Sequence, residues 1–264
     1  MPSDGEIQAF LNRPGNFLYA LNWREGVCEF VPASRAALAE LPFLDNRTLG
    51  QSQKKGALPF ERVAAAVRAK AFSNAAGRCD FIFHTAFCGS TLLARLLDRP
   101  GKVLALKEPF ALLGLSGLQR AGRGDTAEWA EVCLALLSRP FTPGERTVVK
   151  PSNGANNLAP LLPGRAHAGK ALMLFGPLER FLLAVLGGGP ARQAFVDALL
   201  ENALRDAGRD PAEGKDLPPL TRAALAWGLQ MRGFEASAHT TGKDSVASLD
   251  GEKLLAEPTA ALRA

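Results

Sequence analysis

Although hydrophobic residues fill 47% of its 264 positions, the chain has no run near the ~20 consecutive apolar residues of a membrane-spanning helix. No membrane role is expected. Its first residues, MPSDGEIQAFLNRPG, lack the basic segment and apolar core of a secretory leader, so the cytoplasm is the expected location. Cysteine is scarce: Cys28, Cys79, Cys88 and Cys133 form no C-x-x-C pair, which implies neither a zinc site nor a disulfide scaffold, and reduced thiols are expected. Tyrosine occurs once, and the lysines and arginines behind the net charge of +5 are dispersed. Stacking platforms interleaved with basic residues are therefore missing, and no nucleic-acid partner is expected. A mildly basic enzyme handling small anions fits the same charge. The chain also lacks a Walker loop, G-x-x-x-x-G-K-[ST], and a G-x-S-x-G elbow, which counts against ordinary nucleotide hydrolysis and serine hydrolysis.

What the chain does have is centred on CDFIFHTAFCGSTLLARLL, Cys79 to Leu97. Phe81, Ile82 and Phe83 sit in a short apolar run of the kind buried on both faces of a parallel sheet. Gly89 can take the turn's backbone geometry, and Ser90 and Thr91 then occupy the first helical positions. Unpaired backbone N–H groups and the positive end of the helix dipole favour an anion there. A glycine turn with serine as a plain helix cap is the alternative. Leu92, Leu93, Leu96 and Leu97 are expected to form the buried face of this helix, and Arg99-Pro100-Gly101 ends it.

Before this unit, Asn16 to Trp23 and Gly26 to Val31 read as a hairpin, Ser34 to Leu41 as a helix capped by Ser34, Arg47 to Gly56 as a polar linker, and Pro59 to Phe72 as a helix. Residues 1–75 thus read as an N-terminal extension and 76–264 as the main α/β domain. After it, strands are expected at Lys102 to Leu106, Arg146 to Lys150, Lys170 to Phe175 and Ser245 to Leu249. Helices fall between them, at Phe110 to Arg120, Ala127 to Arg139, Asn157 to Leu162, Pro177 to Leu186, Ala191 to Ala207 and Thr221 to Ser237. Alternating strands and helices argue for a parallel β-sheet flanked by helices. Ligands of such sheets bind beyond the strands' carboxyl ends. Three polar stretches fall there: Cys88-Gly89-Ser90-Thr91, Lys107-Glu108-Pro109 and Lys150-Pro151-Ser152-Asn153.

The order of these stretches resembles the sulfotransferase family, a branch of the P-loop fold that uses 3′-phosphoadenosine 5′-phosphosulfate (PAPS), over about Phe81 to Pro258. The resemblance implies that Gly89, Ser90 and Thr91, with Cys88 in the loop, hold the donor's 5′-phosphosulfate. It also implies that Glu108 is the catalytic base and that Lys150, in a Lys-Pro element, stabilises developing charge. The segment SLDGEKLLAEP, Ser248 to Pro258, is similar to the family's terminal element. The implied reaction is sulfonate transfer to a small-molecule hydroxyl acceptor, without a metal. This chain departs from the pattern at three positions. Phe87 stands where the loop usually carries Lys or Arg, and Phe175 and Leu183 stand where Arg and Ser usually meet the 3′-phosphate. Arg180, one turn into the following helix, is the substitute available.

Other readings of these residues stand beside that one. Glu108 before Pro109 serves equally as a helix cap. His84 reads as a hydrogen-bonded structural residue, Lys107 as a solvated charge, and Asp250 as a turn former. Cys88 at a helix N-terminus is a candidate nucleophile of lowered pKa, but a cysteine phosphatase needs C-x5-R, and six residues separate Cys88 from Arg95. A protein of the same fold that binds a nucleotide or acts as a scaffold without transfer is the non-enzymatic alternative.

Overall fold

A computed structural model describes residues 2–49, 56–69, 77–242 and 244–261. The chain opens with helix α1 (Asp4–Leu11), whose first turn is closed by a reciprocal capping box between Ser3 and Glu6. Strands β1 (Asn16–Asn22) and β2 (Val27–Pro32) pair antiparallel as the expected hairpin. Helix α2 (Arg35–Glu40) is capped by Ser34, which accepts from the Ala37 amide at 3.1 Å. A strand that the sequence did not announce, β3 (Gly56–Pro59), adds to β2, and helix α3 (Phe60–Arg68) follows it. Most of the expected linker, Gly50 to Lys55, and the last turn of the expected helix, Lys70 to Phe72, lie outside the described residues.

The main sheet contains β4 (Cys79–His84), β5 (Val103–Lys107), β6 (Arg146–Lys150), β7 (Ala168–Phe175) and β8 (Val246–Asp250). Its order is β5-β6-β4-β7-β8 and every pair is parallel, so the molecule is α/β with a five-stranded parallel sheet and a small antiparallel sheet near its N-terminus. The alternation of β4 sorts its side chains by face. Phe81 and Phe83 pack into the core shared with β1, β2 and the helices α5 (Ala111–Arg120) and α6 (Thr126–Leu137). Ile82 turns to the opposite face, toward α4 (Ser90–Leu97) and α10 (Gly251–Ala256), where it clusters with Leu93 and Leu254. One hydrophobic cluster runs from Ile7 through the antiparallel sheet to Met173 and Phe234.

Helices α7 (Leu178–Leu186), α8 (Gly189–Asp206) and α9 (Pro219–Thr241) form a third packing unit that covers Ala86, just beyond β4. Trp227 of α9 donates to the carbonyl of Gly176 at the end of β7, while Gln230, one turn on, meets residues that follow β6. Helix α9 therefore crosses the carboxyl edge of the sheet.

Two expectations are corrected. Leu92 and Leu96 are 44% and 40% exposed, and α4 buries Leu93 and Ala94 instead. Lys107 is fully buried rather than solvated. Its ammonium donates to the carbonyls of Leu38 and Ala39 at the end of α2, at 3.3 and 2.5 Å, where the helix dipole favours a cation.

Candidate functional site

Strands β4 and β7 are neighbours, and the chain leaves them in opposite directions, toward β5 from one and toward β8 from the other. A crevice at the carboxyl ends of such a pair is where open α/β sheets take ligands. The loop after β4 is fastened there by Thr85. Its amide donates to Leu174 at 3.0 Å, and its hydroxyl accepts from the Gly176 amide at 3.2 Å. Phe87 and Gly89 have φ of 63° and 85°, while Cys88 between them does not. Left-handed residues interleaved with others are a feature of the loops whose successive N–H groups bind anions. A bulky residue at positive φ also costs energy, of order 1–3 kcal/mol.

The loop fits closely against its surroundings. A Cβ on Gly251 would lie 2.4 Å from the Cys88 carbonyl, so the start of α10 must be glycine for the two backbones to touch. Cys88 is buried, with its thiol donating to the Thr85 carbonyl at 2.8 Å. Burial raises its pKa even though the Ser90 amide and the Lys150 charge pull the other way. A buried thiol of raised pKa counts further against the phosphatase alternative, which the missing C-x5-R spacing already disfavoured. Phe87 lies against Phe181 and Phe195, at centroid distances of 5.6 and 6.1 Å, and the Arg192 guanidinium stands 5.0 Å over its ring.

Beside the loop runs an open groove of about 720 Å³, lined by Phe87, Cys88, Pro177, Arg180, Leu183 and Leu255 among others. Arg180 is 70% exposed on its rim and pairs with Glu252 at 2.9 Å. Ser90 is buried at the start of α4 and Thr91 is half-buried beside it. Asp250 caps α10 by accepting from the Glu252 amide at 2.8 Å, the turn-forming role expected of it.

Glu108 and Lys150 meet one strand away. Parallel register sets Lys107 opposite Lys150, and the Glu108 amide donates to the Lys150 carbonyl at 2.7 Å. Glu108 adopts φ of 56°, a left-handed conformation that a side chain disfavours. Its Oε1 accepts from Lys150 Nζ at 2.6 Å and its Oε2 from Arg47 at 2.8 Å. Arg47, half-exposed, also donates to Asp45 at 2.8 Å. Lys150 is buried, and burial lowers its pKa while Glu108 opposes that shift.

The ammonium of Lys150 also stands 3.1 Å from His84 Nε2, and His84 Nδ1 lies 2.9 Å from the Thr85 carbonyl. Nε2 also lies 3.0 Å from the Pro151 carbonyl, so each ring nitrogen faces a backbone carbonyl and Lys150 shares the Nε2 side. Complete burial and the neighbouring ammonium push the His84 pKa down to about 3, so the ring is neutral. Asn153 and Asn156 both donate to the His84 carbonyl, at 2.6 and 3.0 Å. Asp45, Arg47, Glu108, Lys150, His84 and the asparagines thus form one polar chain across the carboxyl edge.

Sequence reasoning placed Glu108 and Lys150 together but missed Arg47 and Asp45, which lie at the edge of the stretch read as linker. It also missed Gln230, which looks like one more polar position on α9. Among the described residues, no group of three or more His, Cys, Asp or Glu side chains is arranged to hold a metal ion, and no helix is long and apolar enough to cross a membrane. No protein-family model matches the chain, and no curated protein or solved structure shows significant similarity to it.

Proposed function

We propose that the chain is a sulfotransferase-like protein of the P-loop type, binding PAPS along the β4 loop and transferring its sulfonate to a hydroxyl acceptor. The observation that carries this reading is the meeting, at one carboxyl edge, of an alternating-handed loop at a helix N-terminus with a carboxylate–ammonium pair from the two neighbouring strands. In the proposed step the acceptor oxygen bonds to sulfur as the bond from sulfur to the bridging oxygen of the phosphosulfate breaks. The acceptor's proton passes to Glu108 Oε2, and adenosine 3′,5′-bisphosphate leaves. Loop amides with Ser90 and Thr91 hold the phosphosulfate, and Lys150, already desolvated and fixed, stabilises the developing charge. Arg47 must swing away to free Oε2, and as the half-exposed partner it is the one able to do so. Arg192 over Phe87 brings a guanidinium to the loop position that lacks its own cation.

A second reading, nucleotide binding without transfer, is favoured by the same Glu108, because both of its oxygens are occupied by cations. Calorimetry with adenosine 3′,5′-bisphosphate and a transfer assay on hydroxyl acceptors separate the two. Transfer that collapses in Glu108→Gln supports the enzyme. Nucleotide binding without transfer supports the second reading. Absence of binding in the parent and in Phe87→Lys, at millimolar nucleotide, overturns both.

A further inference from the structure

The groove beside the β4 loop bears on which nucleotide that loop can hold. Loop residues Phe87 and Cys88 line it, so a group bonded to an anion held by the loop enters it directly. Its volume of about 720 Å³ falls in the range of small-molecule sites and leaves room for a nucleoside.

The walls of the groove are hydrocarbon with one pair of opposite charges. Phe87, Leu183 and Leu255 stand in it exposed, as apolar surface that water does not satisfy and that an uncharged ring gains by covering. Among the described residues of the lining, Arg180 is the one cation and Glu252 the one carboxylate, and their contact at 2.9 Å leaves the lining without net charge. The pair is exposed and opens at little cost. Glu252 is fixed to the first turn of α10, however, so its carboxylate remains on the groove wall when Arg180 turns away. Arg192 is held at the loop instead. Its guanidinium lies over Phe87 and donates to the Ala184 carbonyl, and its stem passes so close over Gly188 that a Cβ there would collide with it.

A phosphate monoester carries about −1.5 to −2 charges at pH 7. A 3′-phosphate on the nucleoside would enter a lining whose single cation is already compensated, beside a carboxylate that repels it, with Leu183 and Ala184 offering no hydrogen bond from their side chains. We infer that Glu252 and Leu183 make the site indifferent to a 3′-phosphate, so that adenosine 5′-phosphosulfate serves as donor as well as PAPS does. This inference rests on the proposed transfer. The same bond from sulfur to the bridging oxygen breaks, the acceptor's proton passes to Glu108 as before, and AMP leaves in place of adenosine 3′,5′-bisphosphate.

The test is calorimetric titration of the full chain with AMP and with adenosine 3′,5′-bisphosphate. The affinity for the bisphosphate is expected to exceed that for AMP by no more than about threefold. A larger preference for the bisphosphate would overturn the inference and leave the transfer reading standing, whereas binding of neither nucleotide at millimolar concentration would overturn both. Leu183→Arg and Glu252→Gln, both at exposed positions, supply a cation and remove the carboxylate. Leu183→Arg should shift the ratio of the two affinities toward the bisphosphate by roughly tenfold, and Glu252→Gln should shift it in the same direction. A ratio that neither substitution moves would overturn the inference, because the nucleoside would then lie outside the groove.

Discussion

At the scale of single residues, Glu108 holds a strained backbone and a buried partner, and the two effects oppose each other. Glu108→Gly relieves a left-handed φ worth about 1–2 kcal/mol, but it strands the Lys150 ammonium, and breaking a buried pair costs about 3–5 kcal/mol. Loss of the ion pair outweighs relief of the backbone, so Glu108→Gly should destabilise the protein in denaturant titration. Lys150→Met in the same chain should recover most of that loss. If Glu108→Gly alone is neutral, Lys150 has another counterion. His84 gives a second test through pH. Its folded pKa of about 3 lies below its unfolded value of 6.5, so on acidification the unfolded chain binds the proton first. Its contribution is therefore full above about pH 6.5 and is lost as pH falls toward 3. Urea unfolding between pH 4 and 6 should lose up to about 1.4 kcal/mol per pH unit from this one site. The slope in His84→Gln should be shallower by about one proton, and equal slopes would place a neighbouring carboxylate, not His84, behind the acid limb.

At the scale of elements, helix α4 shows where periodicity misleads. Its four leucines lie within one arc of about 140° and read together as the buried face, but the sheet takes the side of that arc running from Leu93 to Ala94 and leaves Leu92 and Leu96 exposed. Packing resolves it: Leu93→Ala should cost about 2–5 kcal/mol, and Leu92→Lys should stay within about 0.5 kcal/mol of the parent in thermal unfolding. Comparable losses at both positions would mean that Leu92 is covered in solution. Strand β3 escaped notice for a different reason. It has four residues, no β-branched or aromatic side chain and a terminal proline, which an edge strand tolerates because it need not donate there. Lys107 escaped because its partners are backbone carbonyls on a helix far away in sequence. The parallel strands, in contrast, were legible from their apolar runs, and Glu108 and Lys150 from their places just past those runs. Asn153 was legible in the polar stretch after β6, whereas Arg47 and Asn156 were hidden because side chains fold onto a site from segments whose local pattern says only loop.

At the scale of the whole molecule, the N-terminal 75 residues read as an extension to an α/β domain, and how they pack bears on whether they can be separated from it. Phe17, Leu18, Tyr19, Leu21, Phe30 and Val31 are all buried in the cluster that also holds Phe81, Phe83, Leu104, Leu106 and Val149 of the main sheet. Polar links cross between the two parts as well. Arg35 binds Asp98 at 2.6 Å and Glu145 at 3.0 Å. Arg139, buried beyond α6, donates to the carbonyls of Leu11, Arg13 and Asn16, and burial lowers its pKa to about 10. Each large buried side chain contributes about 1.5–3 kcal/mol, so uncovering several at once exceeds the ~5–15 kcal/mol by which a domain is stable. A chain beginning at Gly77 should therefore lack a cooperative thermal transition and bind hydrophobic dyes, whereas supplying residues 1–75 as a separate polypeptide should restore the transition. If the shortened chain instead melts cooperatively by itself, the parallel sheet with its three capping helices is self-sufficient, and the antiparallel sheet is an accessory to it.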